Sequence, residues 1–221
     1  LRLRLVGHKP AHGVVYGAAA DAGVVACAQG RGLCAVSRLP DLQHRFALDA
    51  PGDDGHQAKL AVALGEGTAA VGCAAGPSLR LHDLATGDVR HILRDVSSSS
   101  PATCAQVAVG GGVVAAAFLG ANDRHSFVNL WTSSGAPLAT FHWPDRRVTQ
   151  LVIDGDDHVL YVGSSGNAGG VREVPLPPLL EGNTRAQCGT VFPLDPFGYH
   201  CHALCAQKGA VAASGHRISY G

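Results

Sequence analysis

The sequence lacks methionine and is poor in lysine, aromatic residues and net charge. Lysine occurs only at Lys9, Lys59 and Lys208, and aromatic residues form 5% of the 221 residues. The 17 basic residues balance 17 acidic ones, which argues against nucleic acid as the main direct partner. No apolar run reaches the ~20 residues of a membrane span, so we expect no membrane insertion. The absence of methionine even at position 1 predicts a processed or incomplete chain.

The composition also disfavours both disorder and a disulfide framework. Hydrophobic residues form 46% of the chain, which is enough to bury a core. The cysteines are odd in number and scattered, a pattern typical of reduced thiols in an intracellular compartment. They are Cys27, Cys34, Cys73, Cys104, Cys188, Cys201 and Cys205. We therefore expect an intracellular protein, with the cytoplasm favoured and an organelle or cilium left open.

A repeated pattern organises the chain. Residues 67–87 show an apolar strand, a Gly/Pro turn, a strand in which leucine alternates with polar residues, and an Asp-bearing turn that closes on Thr86-Gly87. Copies of the apolar strand begin at Val24, Ala69, Val113, Val159 and Ala210. Their spacing of about 45 residues is typical of the four-stranded blades of a β-propeller.

The other strands of each blade follow the same order. First strands are predicted at 14–17, 60–64, 105–109 and 150–153, third strands at 33–37, 78–82, 127–131 and 170–174, and outer strands at 44–48, 89–93 and 138–142. Glycine and aspartate in the connections between first and second strands favour tight hairpins. The inner strands are nearly continuous in apolar or small residues, whereas the outer strands alternate with charge. The predicted fold class is all-β, a propeller of four-stranded antiparallel blades with about five blades visible.

The ends of the third strands resemble the WD-repeat family of β-propellers, whose blades close this strand with Trp-Asp before a Thr-Gly turn. The segment from Leu81 to Gly87 keeps the aspartate and the Thr-Gly but has His82 in place of tryptophan. The segment from Leu130 to Gly135 keeps Trp131 but has Thr132 in place of aspartate. Gly7-His8 and Gly55-His56 are similar to the Gly-His pair that opens a blade in this family. Ala213-Ser214-Gly215 is similar to the family's Ala-Ser-Gly ending of the second strand.

The repeats predict one WD-repeat-like propeller domain over residues 1–221. Residues 1–6 are expected to be the outer strand of a shared blade, 11–50, 56–96, 102–143 and 147–194 successive blades, and 199–221 a partial blade. The strand patterns of the two chain ends would complete one another in a single blade. Propellers commonly close in this way, by pairing their terminal strands. Two arrangements stay open: a closed ring of five blades, and part of a seven-bladed ring.

The resemblance implies a non-catalytic scaffold that binds protein partners within a multisubunit complex. An enzyme, a hydrolase for example, that uses the central propeller pocket is the first alternative. The second alternative is a scaffold subunit of a ribonucleoprotein complex. The fold alone does not decide among them. His8, His12 and His56 are expected to lie near the starts of blades, and the resemblance gives His8 and His56 structural hydrogen bonds within a blade.

Four short segments carry candidate chemistry. His200, Cys201, His202 and Cys205 are zinc-ligand types, but strand alternation predicts both histidines on one face and both cysteines on the other, which disfavours a four-ligand site. The run 163–166 (Gly-Ser-Ser-Gly) is predicted to be a turn, 110–112 (Gly-Gly-Gly) a hairpin connection, and 154–157 (Asp-Gly-Asp-Asp) a solvated acidic turn.

The proline-rich segment 175–180 is predicted to be extended and water-facing, either as a spacer or as a segment against which a partner could dock. No catalytic, cofactor-binding or metal-binding residue is assigned from the sequence, and no cofactor is expected.

Overall fold

The computed structural model describes residues 15–21, 23–29, 33–38, 43–49, 60–73, 77–95, 103–120, 125–143, 147–166, 170–181, 189–192, 199–208 and 210–217. Nearly all of them lie in antiparallel strands. In chain order these strands are β1 (Val15–Asp21), β2 (Val24–Gln29), β3 (Leu33–Arg38), β4 (Gln43–Asp49), β5 (Leu60–Gly65), β6 (Thr68–Cys73), β7 (Ser78–Asp83), β8 (Val89–Arg94), β9 (Thr103–Gly110), β10 (Val113–Leu119), β11 (Ser126–Thr132), β12 (Pro137–Trp143), β13 (Arg147–Asp154), β14 (Val159–Gly166), β15 (Gly170–Pro175), β16 (Gly189–Phe192), β17 (Tyr199–Gln207) and β18 (Ala210–Arg217).

The strands form blades whose order in space follows their order in the chain. Strands β1 to β4, β5 to β8 and β9 to β12 make three four-stranded sheets, the first three blades. Strands β13 to β16 make the fourth blade, and the hairpin β17–β18, which begins the fifth, joins it where Ser165 pairs with His200. The fold is thus all-β with four-stranded antiparallel blades, and the predicted propeller class is confirmed.

Neighbouring blades contact each other through their first strands. Strand β5 contacts β1 and β9, and strand β13 contacts β9 and β17. The first strands are therefore the inner strands of the propeller, and the fourth strands lie at its outer edge. Apolar clusters fill the spaces between successive blades.

The second strands of blades 2, 3 and 4 are the most deeply buried of the described strands, which explains their small side chains. All seven residues of β10 are buried, among them Ala115, Ala116 and Ala117. Both faces of this strand are covered by adjacent blades, and both of its edges are paired. Alanine and glycine let the sheets approach closely at this position, whereas a larger side chain would push them apart.

A β-bulge interrupts the first strand in four of the blades. Register shifts leave Tyr16, Ala105, Thr149 and His202 without a directly paired residue on the second strand. A bulge inserts one residue and so reverses which face the following side chains occupy. Sequence alternation across these points therefore does not give the correct face.

Two local predictions are wrong. Residues 163–166 continue strand β14 and do not form a turn, because they pair with β13 and β17. Pro175 ends strand β15, but the rest of the segment 175–180 is not extended, because Pro177–Leu180 is helix α1, the single helix in the described part of the chain. Proline suits its first turn since no backbone N–H is needed there. Leu176 and Leu179 are buried against the core of blades 3 and 4.

Several predictions lie outside the described residues. These are the strand at 1–6, the segments holding His8, His12 and His56, and the end of the partial blade beyond residue 217. Within the described segments, no helix is both long and apolar enough to span a bilayer.

Candidate functional site

The turn between β7 and β8 is held by Asp83. Its Oδ1 accepts hydrogen bonds from the backbone N–H of Ala85 at 2.6 Å and of Thr86 at 3.3 Å. Its Oδ2 accepts from Nε of Arg90 at 3.1 Å and also forms an ion pair with that guanidinium. The Ala85 N–H, and then the Arg90 guanidinium, hold the pKa of this carboxyl below its ordinary range. The aspartate of the repeated motif is therefore a structural residue of the turn.

The same turn is built with other residues in the next two blades. Thr132 is the last residue of β11, and its hydroxyl oxygen accepts a hydrogen bond from the Ala136 N–H at 3.0 Å. One backbone bond is common to all three blades: Leu84 N–H donates to the Gly67 carbonyl, Ser133 N–H to that of Gly112, and Leu176 N–H to that of His158, each at 2.8–2.9 Å. The shared backbone geometry shows that the repeat is structural even where its sequence has diverged.

The tryptophan position of the motif holds a different residue in each of the first four blades. It is Ser37, His82, Trp131 and Val174, as the pairing with Val25, Ala69, Val114 and Leu160 shows. Trp131 packs edge-to-face on Phe118, with ring centroids 6.3 Å apart. His82 is 1% exposed, and its Nδ1 lies 3.1 Å from the Gly87 carbonyl. Among the described residues its Nε2 has no hydrogen-bond partner.

The tips of the inner hairpins are linked to one another. Glu66 lies in the left-handed region at φ 52°, and its Oε2 accepts the Gly112 N–H of the next blade at 2.9 Å. Gly111 and Gly112 also have positive φ, which confirms the predicted hairpin at 110–112. In the acidic turn at 154–157, Asp156 and Asp157 are exposed as predicted, whereas Asp154 is buried and its Oδ1 accepts the Asp156 N–H at 3.1 Å. Glu66 and Asp154 thus stabilise the hairpin tips by accepting hydrogen bonds from backbone N–H groups.

The predicted His/Cys cluster is divided by the bulge at His202. Cys201 is buried and points toward blade 4, while His202 and Cys205 are exposed. The prediction that Cys201 and Cys205 share a face is wrong, because the bulge reverses the alternation between them. Burial raises the pKa of the Cys201 thiol. Among the described side chains, no three His, Cys, Asp or Glu residues are grouped as metal ligands.

A cavity of about 140 Å³ lies beside strand β12 at the outer edge of blade 3. Asn129, Trp131, Pro137 and Thr140 are among its lining residues. Its lining residues belong to the third and fourth strands of blade 3, so it is not the central pocket that the enzyme alternative predicted.

Strand β8 carries a surface that sequence reasoning missed. Three large hydrophobic residues are exposed among the described residues, and two of them lie on this strand, Val89 at 45% and Ile92 at 56%. Strict alternation would place these two residues on opposite faces. A bulge at Arg90 instead pairs Val89 with His82 and Ile92 with Arg80, so that both lie on one face. The charged residues around them indicated only an ordinary solvent-facing edge.

The sequence matches no protein-family model and no curated protein. Several solved structures share its fold. The computationally designed Ika4 protein is 18% identical with a TM-score of 0.57, over 78% of this chain and 98% of that one. A chain of the mitotic checkpoint complex is 12% identical with a TM-score of 0.65, over 92% and 63%. Hydrazine synthase of Kuenenia stuttgartiensis is 11% identical with a TM-score of 0.61, over 80% and 53%.

These similarities establish a propeller-like fold and leave the activity open. The chain spans nearly the whole of Ika4 but only 63% and 53% of the other two chains. One of the two belongs to a protein complex and the other is named as an enzyme, which illustrates that one fold serves several functions.

Proposed function

We propose that this chain is a WD-repeat-like propeller, a single domain over residues 1–221, that acts as a non-catalytic scaffold for protein partners in an intracellular assembly. One observation carries the proposal: the outer strand β8 presents Val89 and Ile92 together on one exposed face. Exposed aliphatic side chains that adjoin each other are typical of protein contacts, whereas isolated ones are common on any surface.

The position of β8 supports this function. It is the last strand in the order β5-β6-β7-β8, so its outer edge has no partner among the described strands. The polar residues of the repeat, Asp83 and Glu66 among them, bind backbone groups of turns and hairpins. Because these polar groups are already used within the fold, a partner would contact the exposed side chains of outer strands such as β8.

Affinity capture tests the scaffold proposal. The tagged chain is crosslinked in cells, purified and compared with the variant V89T/I92T, which keeps the β-branched side chains that favour a strand. The matched control is Leu180→Thr, since Leu180 is the third exposed large hydrophobic residue, at 44%, and lies on a different blade. We expect a stoichiometric partner with wild type and L180T and its loss with V89T/I92T. A chain that stays alone and turns over a substrate would contradict the proposal.

A further inference from the structure

We propose that Arg80, Val89, Ile92 and Arg94, called here the β8 patch, bind an acidic segment of a partner protein in extended conformation. This inference rests on the proposed scaffold function and names the chemistry of the partner. It is carried by the juxtaposition of two exposed aliphatic side chains with two arginines on one face of the paired strands β7 and β8.

The register of β7 and β8 defines the patch. Arg80 lies directly opposite Ile92, and Ser78 lies directly opposite Arg94. Side chains two residues apart on a strand share a face, so Arg94 lies on the same face as Ile92. Arg80 and Arg94 are then diagonal neighbours, a placement in which like charges repel. The bulge at Arg90 brings Val89 to this face as well.

The opposite face of the same strands is already used. Leu79, Leu81 and Leu93 are buried in the cluster shared with blade 3, and His91 lies against Gly135 of that blade. Only the patch side of β8 thus offers exposed aliphatic area. On the patch face, the inner part of the sheet packs on blade 1, as Val71 directly opposite Arg80 shows, and Val89, Ile92 and Arg94 are exposed at its outer end.

The charge of the patch favours an anionic partner. Arg90, the third arginine of this region, already pairs with Asp83. Among the described residues, neither Arg80 nor Arg94 forms an ion pair. A carboxylate placed between these two guanidinium groups would relieve their repulsion and accept bidentate hydrogen bonds.

The occupant is inferred to be a peptide strand because of the edge it meets. The outer edge of β8 offers backbone groups for one more strand, and alternate side chains of that strand would face the patch. Acidic side chains would pair with Arg80 and Arg94, and an aliphatic one would cover Val89 and Ile92. A polynucleotide fits less well, because the chain has zero formal net charge and nucleic-acid surfaces are extended and basic.

A designed peptide provides the probe. We would use a fluorescein-labelled peptide in which glutamate alternates with valine or threonine, and the same peptide with lysine in place of glutamate. Fluorescence anisotropy would be recorded with wild type, the neutralising variant R80Q/R94Q, the single reversal R94E at the exposed position, and V89T/I92T. The matched control is Arg147→Glu, which reverses an exposed arginine on another blade. Thermal unfolding would confirm that each variant is folded.

The glutamate peptide is expected to bind wild type and R147E equally, and the affinity should fall as the salt concentration is raised. Its affinity for R94E and for R80Q/R94Q is expected to be roughly tenfold lower than for wild type. Equal binding of the lysine peptide, tighter binding of an oligothymidylate, or unchanged affinity in the arginine variants would overturn the inference. If R80Q/R94Q still captures the same cellular partners as wild type, the inferred binding of an acidic segment by the β8 patch is wrong, while the scaffold function stands.

Discussion

Gly163 lies directly under the thiol of Cys201. A Cβ atom on Gly163 would lie 2.8 Å from Cys201 Sγ and 3.1 Å from Gln150 Cβ, so a larger residue does not fit without movement. The same relationship occurs two interfaces earlier, where Gly72 of blade 2 faces Cys104 of blade 3. In both cases a glycine of the second strand faces a cysteine just before the bulge of the next blade. At these two interfaces, contact between the glycine backbone and the cysteine side chain thus sets the distance between the blades.

Gly163→Ala is predicted to destabilise the protein by about 1–3 kcal/mol, because the added methyl group overpacks the interface. Removing the thiol in the double variant G163A/C201A should recover about 1 kcal/mol relative to the sum of the single changes. Chemical denaturation of the four proteins of this cycle measures both values. Strict additivity would show that the two residues do not limit the blade spacing.

The carboxylate of Asp83 is predicted to make the free energy of unfolding depend on pH in the acidic range. Its folded pKa is lowered, so its contribution is fully present above the unfolded value of about 3.9 and is lost as pH falls through the folded pKa. Asp83→Asn should lower the melting temperature at neutral pH and reduce its further fall in acid. Thermal melts of both proteins between neutral pH and about pH 3 test this. Parallel curves would contradict the assignment.

Leu179→Ala is predicted to cost about 2–5 kcal/mol, because the side chain is only 2% exposed and fills the core beside α1. Leu180→Ala is the matched control, since its side chain is 44% exposed and its loss should change stability by less than about 0.5 kcal/mol. Urea unfolding followed by circular dichroism compares them. Similar losses from both changes would mean that the segment is extended, as the sequence alone predicted.

The cysteines are predicted to react with thiol reagents in an order set by burial. Burial, together with the nearby Cys27, raises the pKa of the Cys34 thiol to about 12, so it stays protonated near pH 8. The exposed Cys205 should be alkylated first, and Cys34, Cys104 and Cys201 only on unfolding. Mass spectrometry of the labelled peptides gives the order. Labelling of Cys34 in the folded protein as fast as Cys205 would contradict it.

The sequence predicts the regular part of this fold well, because its pattern repeats. The second strands begin at or within one residue of the predicted positions, and the third and outer strands of the first three blades coincide closely with those observed. Helix α1 was missed because prolines favour extended chain as readily as a first helical turn, and the burial of Leu179 depends on blade 3. The bulges at Arg90 and His202 were missed because they depend on which residues pair across strands.

Those bulges also explain why the candidate site was not found from the sequence. Alternation places Val89 and Ile92 on opposite faces, and it places Cys201 and Cys205 together. In each case one inserted residue reverses the result. The patch therefore becomes visible only when the register of β7 and β8 is known.

Hydrogen exchange in a purified complex tests the scaffold account most directly. The chain would be compared alone and with the partner that it captures, with exchange followed by mass spectrometry of its peptides. The account predicts slower exchange in peptides covering β7 and β8, and no change in β10, which is already buried on both faces. Protection confined to the inner hairpin tips at Glu66, Gly111 and His158, with β8 unchanged, would contradict it.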